Sequence, residues 1–252
     1  MSDSTLRQRL RDGETLVGTF QLIDSPVVSE VAALAGLDFV IVDQEHGPLT
    51  AEGSVALCAA AERRGAAPVI RVRANDEAEI QRALDVGAAG VEVPQVQTRA
   101  DAEAVVRASR YAPVGERGLS PYVRAAGYSG GEDHTEVQNE RVTVIVHIEG
   151  ESGVANLDEI AAVDGIDVLF LGPYDLSQSL GIPGQVRHDR VVETMEAVCD
   201  RAAAAGKTLG TYADDPAMAR RWIDAGVQFV ALYVDAPMLL DAFEDAMTEL
   251  DR

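Results

Sequence analysis

Short apolar segments recur at regular intervals along the chain, and helical patterns separate most of them. The segments are continuously apolar and do not alternate, which is typical of strands covered on both faces. Their bounds are 16–20, 39–43, 68–72, 90–94, 142–149, 167–172, 208–212 and 229–234. The segments between them are rich in alanine, and several end in glycine, as helix C-termini commonly do. The pattern therefore predicts eight strands that alternate with helices.

Eight strand–helix units in 252 residues predict an α/β protein with one domain, a (β/α)8 or TIM barrel over residues 1–252. A doubly wound open sheet is the alternative, but such a sheet usually has a glycine-rich phosphate turn after its first strand. Here the first strand is followed by QLIDSPVVSE, which has no such turn. The longest irregular interval, 118–141, is either a lid-like loop with a short helix or a plain connection.

The charge balance restricts the partners of the protein. Lys and Arg number 21 and Asp and Glu number 42, so the formal net charge is -21, whereas a small domain carries about 2–8 charges. A surface this acidic repels phosphate backbones and anionic lipids, so we expect neither a nucleic-acid nor a membrane partner. Because only one lysine is present, the composition also suggests a halophilic protein that stays hydrated in high salt. A merely acidic mesophilic protein is the alternative.

The scarce lysine and cysteine residues narrow the chemistry further. Schiff-base and pyridoxal phosphate enzymes need a lysine in a closed site, but Lys207 directly precedes a predicted strand, where a surface role is expected. Carbonyl chemistry would then need another electron sink, such as a metal. Cys58 and Cys199 have no metal or redox spacing and are expected to be buried. No apolar run is long enough for a signal or membrane segment, which predicts a soluble cytoplasmic protein.

Polar residues stand at the carboxyl ends of several predicted strands, which is where barrel enzymes carry their chemistry. Such groups are costly to bury without a partner, so their recurrence at one end of the barrel predicts one shared site. The segments concerned are DQEHGP (43–48), VIRV (69–72), HIE (147–149) and GPYD (172–175).

Two carboxylates, Glu149 and Asp175, are separated by about one strand–helix unit and would lie at the tops of adjacent strands. With no cysteine nearby, they suit a hard divalent cation such as Mg²⁺ or Mn²⁺. A metal-free pair that shares a proton is one alternative. Two carboxylates that each cap the next helix are another.

His46 and Arg71 are the remaining candidates for chemistry. His46 follows Asp43 by three residues, and a histidine oriented by a carboxylate is a common general base. It is alternatively a loop histidine bonded to a backbone carbonyl. Arg71 lies near the top of a buried strand and needs an anion. That anion is a substrate carboxylate, a developing enolate, or Asp43 or Glu45 in an ion pair.

Together these segments resemble the HpcH/HpaI aldolase family, the metal-dependent pyruvate aldolases related to citrate lyase β-subunits. The likeness covers nearly the whole chain, and its most specific parts are the EHGP and GPYDLSQSLG motifs at two strand ends. Other matching segments are RYAPVGERGLS (110–120) and IEGESGVANLDEI (148–160).

The resemblance implies a (β/α)8 barrel that forms a homohexamer, a trimer of dimers that exchange a C-terminal helix. It implies reversible cleavage of a 4-hydroxy-2-oxo acid to pyruvate and an aldehyde through a metal-bound enolate, with Mg²⁺, Mn²⁺ or Co²⁺. The substrate would be of the 2-keto-3-deoxy sugar acid or 4-hydroxy-2-oxoheptanedioate type. Alternatives are a CoA-thioester lyase of the citrate lyase β type, for which no basic cluster is evident, an oxaloacetate-type decarboxylase, and a non-catalytic binding protein.

Carried over residue by residue, the resemblance makes Glu149 and Asp175 the metal ligands and His46 the catalytic base. Arg71 matches the arginine that stabilises the enolate. Asp85 matches the aspartate that raises the basicity of the histidine, and Asp43 is a second candidate for orienting it.

The substrate-binding positions carry two departures from the family pattern. The substrate-binding positions are His147, Gly172, Pro173, Tyr174 and Asp175, together with Arg71, and the departures are at 147 and 174. Position 147 is commonly glutamine, and a histidine there would either donate the same hydrogen bond or ligate the metal. Position 174 is often alanine, and a tyrosine ring there would change the aldehyde side of the site.

Overall fold

The strands predicted from the apolar runs form a closed parallel barrel, which confirms the predicted fold. The structure is a computed structural model that describes residues 4–250. Each strand pairs with its neighbours in chain order, and β8 closes the barrel against β1. The strands are β1 Leu16–Gln21, β2 Phe39–Asp43, β3 Ala67–Arg71, β4 Gly90–Val93, β5 Thr143–Ile148, β6 Val168–Leu171, β7 Thr208–Ala213 and β8 Phe229–Val234.

Helices follow each strand and surround the barrel. The irregular interval 118–141 contains a 3₁₀ turn at Arg124–Ala126 and one short helix. In the part of the chain that the structure describes, no helix is long and apolar enough to cross a membrane. The helices are α1 Leu6–Arg11, α2 Pro26–Leu34, α3 Ala51–Arg64, α4 Glu77–Asp85, α5 Arg99–Ser109, α6 His134–Arg141, α7 Glu151–Ala155, α8 Leu157–Ala161, α9 Pro173–Ser179, α10 Asp189–Ala204, α11 Pro216–Asp224 and α12 Asp235–Glu249.

Local side-chain caps fix where the helices begin. Thr50 accepts a hydrogen bond from the backbone of Gly53, and Asp76 accepts two at the start of α4. Thr98 and Asp101 form a reciprocal capping box at the start of α5. These caps satisfy N–H groups that a helix leaves unpaired in its first turn. They lie close behind the carboxyl ends of the strands, so the site loops are held at both ends.

Aromatic rings fill the amino half of the barrel interior. Phe39 and Phe229, the first residues of β2 and β8, stack with ring centroids 3.8 Å apart. Gly18 makes this possible, because a Cβ there would lie 2.2 Å from the Phe39 ring. Helix α1 covers this end of the barrel, where Leu6 and Leu10 join the same apolar cluster. Space is therefore left inside the barrel only towards the carboxyl ends of the strands.

Cys58 and Cys199 are unpaired and buried, as the sequence predicts. Lys207 lies just before β7, and its Nζ donates hydrogen bonds to the carbonyls of Val163 and Ile166 at 3.0 and 3.3 Å. This places the amine at the amino end of the barrel, away from the strand ends that carry the polar residues.

Candidate active site

A cavity of about 290 Å³ opens at the carboxyl ends of the strands. It brings together most of the residues that the sequence singles out. A second, more open cavity of about 390 Å³ lies against α5 and contains none of them. The first cavity is lined by Phe20, Leu22, Asp43, His46, Arg71, His147, Phe170, Gly172, Pro173, Tyr174, Asp175, Tyr212 and Val234.

Arg71 is held on one wall of this cavity by two carboxylates. Asp43 is its register partner on β2, and it accepts hydrogen bonds from Nε at 2.8 Å and Nη2 at 2.6 Å. Glu45 lies 3.3 Å from Nη1, and the Phe20 ring lies 4.6 Å from the guanidinium carbon. Burial opposes the charge of Arg71, but Asp43 outweighs this effect and raises the pKa of the guanidinium. Asp43 accepts from two of the five guanidinium N–H groups of Arg71, so other N–H groups remain for a substrate oxygen.

His46 lies on the loop after β2, with 63% of its side chain exposed. Its backbone N–H donates to Asp43 Oδ1 at 3.3 Å, but both Asp43 oxygens are already engaged by Arg71. The expected contact between Asp43 and the imidazole is therefore not made. Glu45 Oε2 instead lies 3.8 Å from His46 Nε2. Burial is the main cause that raises the pKa of Glu45 above its usual range.

A buried histidine between two glutamates forms the floor of the cavity. His147 Nδ1 lies 2.8 Å from Glu149 Oε2, and its Nε2 contacts Glu92 Oε1. The imidazole also stacks on Phe170, with centroids 4.5 Å apart. Burial lowers the pKa of His147, but the two glutamates outweigh it and raise the pKa to about 9. Both ring nitrogens are thus bonded to carboxylates, so the structure leaves no nitrogen free to ligate a metal.

Glu149 and Asp175 border a small space beside Gly172. A Cβ at Gly172 would lie 3.3 Å from Glu149 Oε2 and 3.9 Å from Asp175 Oδ2, so glycine keeps this space open. The Gln95 backbone N–H donates to Glu149 Oε1 at 2.6 Å. Burial raises the pKa of Glu149, but His147 outweighs it and the pKa is lowered. Glu149 is therefore held as a carboxylate beside Asp175.

This donor set fits a hard divalent cation with an incomplete protein coordination shell. Within residues 4–250 no group of three or more His, Cys, Asp or Glu side chains is arranged around one point. Two carboxylates and an open space are what Mg²⁺ or Mn²⁺ uses when water and substrate oxygens supply the other ligands.

Asp85 is the one predicted residue that the fold separates from the cavity. It is the last residue of α4, which runs back against the strands, so it lies towards the amino end of the barrel. There it accepts a hydrogen bond from the buried Arg117 at 2.6 Å. Within one chain, Asp85 therefore does not contact His46, so it cannot raise the basicity of His46 directly, as the resemblance implies.

Tyr212 lines the cavity and Glu92 and Asp214 lie beside it, and none of the three is among the site residues predicted from the sequence. Glu92 is fully buried in β4, and the signal for it is a charged residue inside the apolar run GVEVP. Tyr212 lies on β7, and the sequence of that strand gives no signal that sets this tyrosine apart. Asp214 follows that strand and accepts a hydrogen bond from the Tyr174 hydroxyl at 2.8 Å.

Comparison with known proteins gives the family of this chain. The family model described as HpcH/HpaI aldolase/citrate lyase matches residues 16–242. A hydroxypyruvate/pyruvate aldolase of Pseudomonas aeruginosa is 37% identical over 95% of this chain and 90% of its own. A 2-keto-3-deoxy-L-rhamnonate aldolase of Salmonella gallinarum is 36% identical over 96% and 91%. The chain therefore belongs to the HpcH/HpaI aldolase/citrate lyase family.

Solved structures give the same assignment. A family protein from Burkholderia cenocepacia superposes with a TM-score of 0.93 at 36% identity, covering 98% of this chain and 99% of its own. A citrate lyase β subunit from M. tuberculosis, solved with oxaloacetate and magnesium, shares the fold with a TM-score of 0.59 at 20% identity, over 90% of this chain and 94% of its own. The protein is an aldolase, a carbon–carbon lyase of the class II pyruvate aldolase group.

Proposed function

We propose that this aldolase reversibly cleaves a 4-hydroxy-2-oxo acid to pyruvate and an aldehyde. The observation that carries the proposal is the convergence of His46, Arg71 and Asp175 on one cavity, with Glu149 beside it. A base, a fixed cation and a pair of carboxylates are the groups that such a cleavage needs. The names of the two relatives, which are aldolases of pyruvate and of a keto-deoxy sugar acid, support the same reaction.

Glu149 and Asp175 are the residues that would hold a divalent cation, and Mg²⁺, Mn²⁺ and Co²⁺ all suit oxygen donors of this kind. A bound cation supplies Lewis acidity towards the oxygens of a 2-oxo acid. His147 holds one oxygen of Glu149 and the Gln95 backbone holds the other. These contacts fix the orientation of the carboxylate before any ligand arrives, which is the usual task of groups behind a metal ligand.

His46 and Arg71 divide the remaining work. His46 accepts the proton of the 4-hydroxyl group, and its exposed position on the loop leaves it free to reach the substrate. The C3–C4 bond then breaks, and its electron pair moves to C3 and the 2-oxo oxygen as an enolate. Arg71, fixed by Asp43, faces this developing negative charge. Transfer of a proton to C3 completes pyruvate, while the former C4 leaves as the aldehyde.

The donor half of this reaction is testable without knowledge of the aldehyde. We expect the enzyme to exchange the methyl protons of pyruvate for deuterium in the presence of Mg²⁺, and NMR measures this exchange. The exchange should stop when EDTA is added. Glu149→Gln should lose both exchange and Mn²⁺ binding measured by electron paramagnetic resonance. The matched control is Glu151→Gln, the same change at an exposed residue two positions along, which should keep both.

Two results would contradict the proposal. Absence of exchange in the folded, Mg²⁺-loaded enzyme would mean that the donor is not pyruvate. Unchanged Mn²⁺ affinity in Glu149→Gln would remove Glu149 from the ligand set.

We further propose that the enzyme works as a homo-oligomer, a hexamer built as a trimer of dimers, and that α12 is exchanged between subunits. After its first two residues α12 is exposed along its whole length. Exposed apolar patches of this size on a single chain usually mark an interface. The exposed side chains are Met238, Leu239, Leu240, Phe243 and Met247 on α12, Leu250 directly after it, and Val27, Val31 and Leu34 on one face of α2.

The cellular setting that we propose is a reducing, salt-rich cytoplasm. Two unpaired buried cysteines are ordinary in proteins of reducing compartments. The net charge of -21 supports adaptation to high salt, because salt screens the repulsion between surface carboxylates.

A further inference from the structure

Two tyrosines form the rim of the cavity. Tyr174 and Tyr212 have ring centroids 5.9 Å apart, and Tyr212 also packs 6.1 Å from Phe20. Tyr174 is 47% exposed, whereas Phe170 on the floor is 1% exposed. The Tyr174 ring therefore lies on the solvent side of the cavity, in contact with the Tyr212 ring. In the proposed reaction the acceptor aldehyde would meet these two rings.

Asp214 stands behind the rim and occupies its hydroxyl groups. The Tyr174 hydroxyl donates to Asp214 Oδ1 at 2.8 Å, and the Tyr212 hydroxyl interacts with the same carboxylate. The Tyr174 phenol is then not free to donate a hydrogen bond to a substrate. The surfaces that remain towards the cavity are the ring carbons, with Leu22 and Val234 beside them.

The cations around the cavity are already paired with carboxylates. Arg71 is bonded to Asp43 and close to Glu45, and His147 lies between Glu92 and Glu149. Arg187, which approaches Tyr174 from outside, pairs with Asp215. Among the described residues that line or adjoin the rim, none offers an unpaired cation to a substrate carboxylate. A negatively charged aldehyde would meet Asp214 without compensation.

We propose that the Tyr174–Asp214–Tyr212 rim selects uncharged aldehydes and rejects aldehydes that carry a second carboxylate. This inference rests on the proposed function, since it concerns the acceptor of the same reaction. Asp214 is a specificity-determining residue in this proposal: it repels an anionic tail and engages the Tyr174 hydroxyl, which would otherwise be free to bind that tail. The substrate class is then a 4-hydroxy-2-oxo acid whose fourth carbon bears a neutral chain.

The experiment compares two four-carbon acceptors in the addition of pyruvate, butanal and succinic semialdehyde, which differ in a terminal methyl or carboxylate. We expect kcat/KM for butanal to exceed that for succinic semialdehyde by roughly tenfold or more, as one uncompensated like charge costs. Asp214→Asn should reduce this ratio by roughly fivefold, which is about 70% of a tenfold discrimination on a logarithmic scale. Tyr174→Phe, which keeps the ring and the charge of Asp214, should retain the preference for butanal.

A control separates the rim from the overall acidity of the protein. Glu196→Gln removes one negative charge from an exposed ion pair with Arg221 on the outer helices, and its ratio should equal that of the unaltered enzyme. A preference for succinic semialdehyde in the unaltered enzyme would overturn the proposal even if Asp214→Asn did not fold. An equal change of ratio in Asp214→Asn and Glu196→Gln would also overturn it. If either result is found while pyruvate exchange persists, the rim proposal fails and the proposed function stands. Absence of exchange and of all addition would instead overturn the proposed function itself.

Discussion

The buried Glu92–His147 pair should make the stability of the metal-free protein depend on pH in a specific way. His147 has a pKa of about 9 in the folded chain against a usual value of 6.5. A difference of this size corresponds to about 3 kcal/mol. Because the folded-state pKa is raised, this stabilisation is fully present below about pH 6.5 and is lost as the pH rises through about 9. Glu92 and Glu149 share it, since both contact the imidazole.

Glu92→Gln keeps the shape of the side chain and removes one of these two charges. We expect the variant to lose about 1.5–2 kcal/mol of unfolding free energy at pH 6, roughly half of the linked term or slightly more. For a chain of this length that is a fall in Tm of about 3–8 °C. At pH 9.5 the difference should shrink towards zero, because His147 is then mostly neutral in the unaltered protein. Urea unfolding in EDTA at the two pH values measures both quantities.

Two controls sharpen this test. Glu103→Gln breaks an exposed ion pair with Arg99 and should cost no more than about 0.5 kcal/mol at either pH. The double variant Glu92→Gln with His147→Gln completes a cycle that isolates the coupling between the two side chains. The reasoning would be refuted by a loss of equal size at pH 6 and pH 9.5, or by no loss at pH 6.

Three further outcomes are expected. Arg71→Ala should lower kcat by roughly 10²–10³, as loss of one preorganised oxyanion donor does, and a near-normal kcat would contradict its role. Phe243→Glu should reduce the molecular mass seen by light scattering while circular dichroism of the barrel stays the same; a mass that does not change would separate α12 from the interface. Molar KCl should raise the Tm, because it screens the net charge of -21, and full stability in dilute buffer would count against halophily.

The sequence predicts the barrel and the polar residues gathered at the carboxyl ends of its strands, because both follow from the regular spacing of the apolar runs. Continuous apolar runs mark strands that are covered on both faces, and eight of them require closure. The carboxyl ends of parallel strands meet at one edge, so polar residues there are brought together whatever the details of the loops. Asp43, His46, Arg71 and Asp175 line the same cavity for this reason.

The pairing of those residues depends on contacts that linear spacing does not contain. Glu92 meets His147 across 55 positions of sequence, and their contact exists only because β4 and β5 are adjacent in the closed barrel. The sequence alone allows Asp43 to contact either Arg71 or His46. The strand register places Asp43 of β2 directly opposite Arg71 of β3, so it bonds to Arg71. Asp85 is separated from His46 because α4 runs back towards the amino end before it reaches that residue.

The aromatic packing at the amino end has a kinetic consequence for the proposed reaction. Because Phe39, Phe229 and α1 close that end, ligands within the described part of the chain enter and leave by the rim of Tyr174 and Tyr212. Pyruvate would lie deeper than the aldehyde, so the aldehyde must depart first and pyruvate last. Product inhibition should follow this order: pyruvate competes with the 4-hydroxy-2-oxo acid for the free enzyme, whereas the aldehyde gives noncompetitive inhibition.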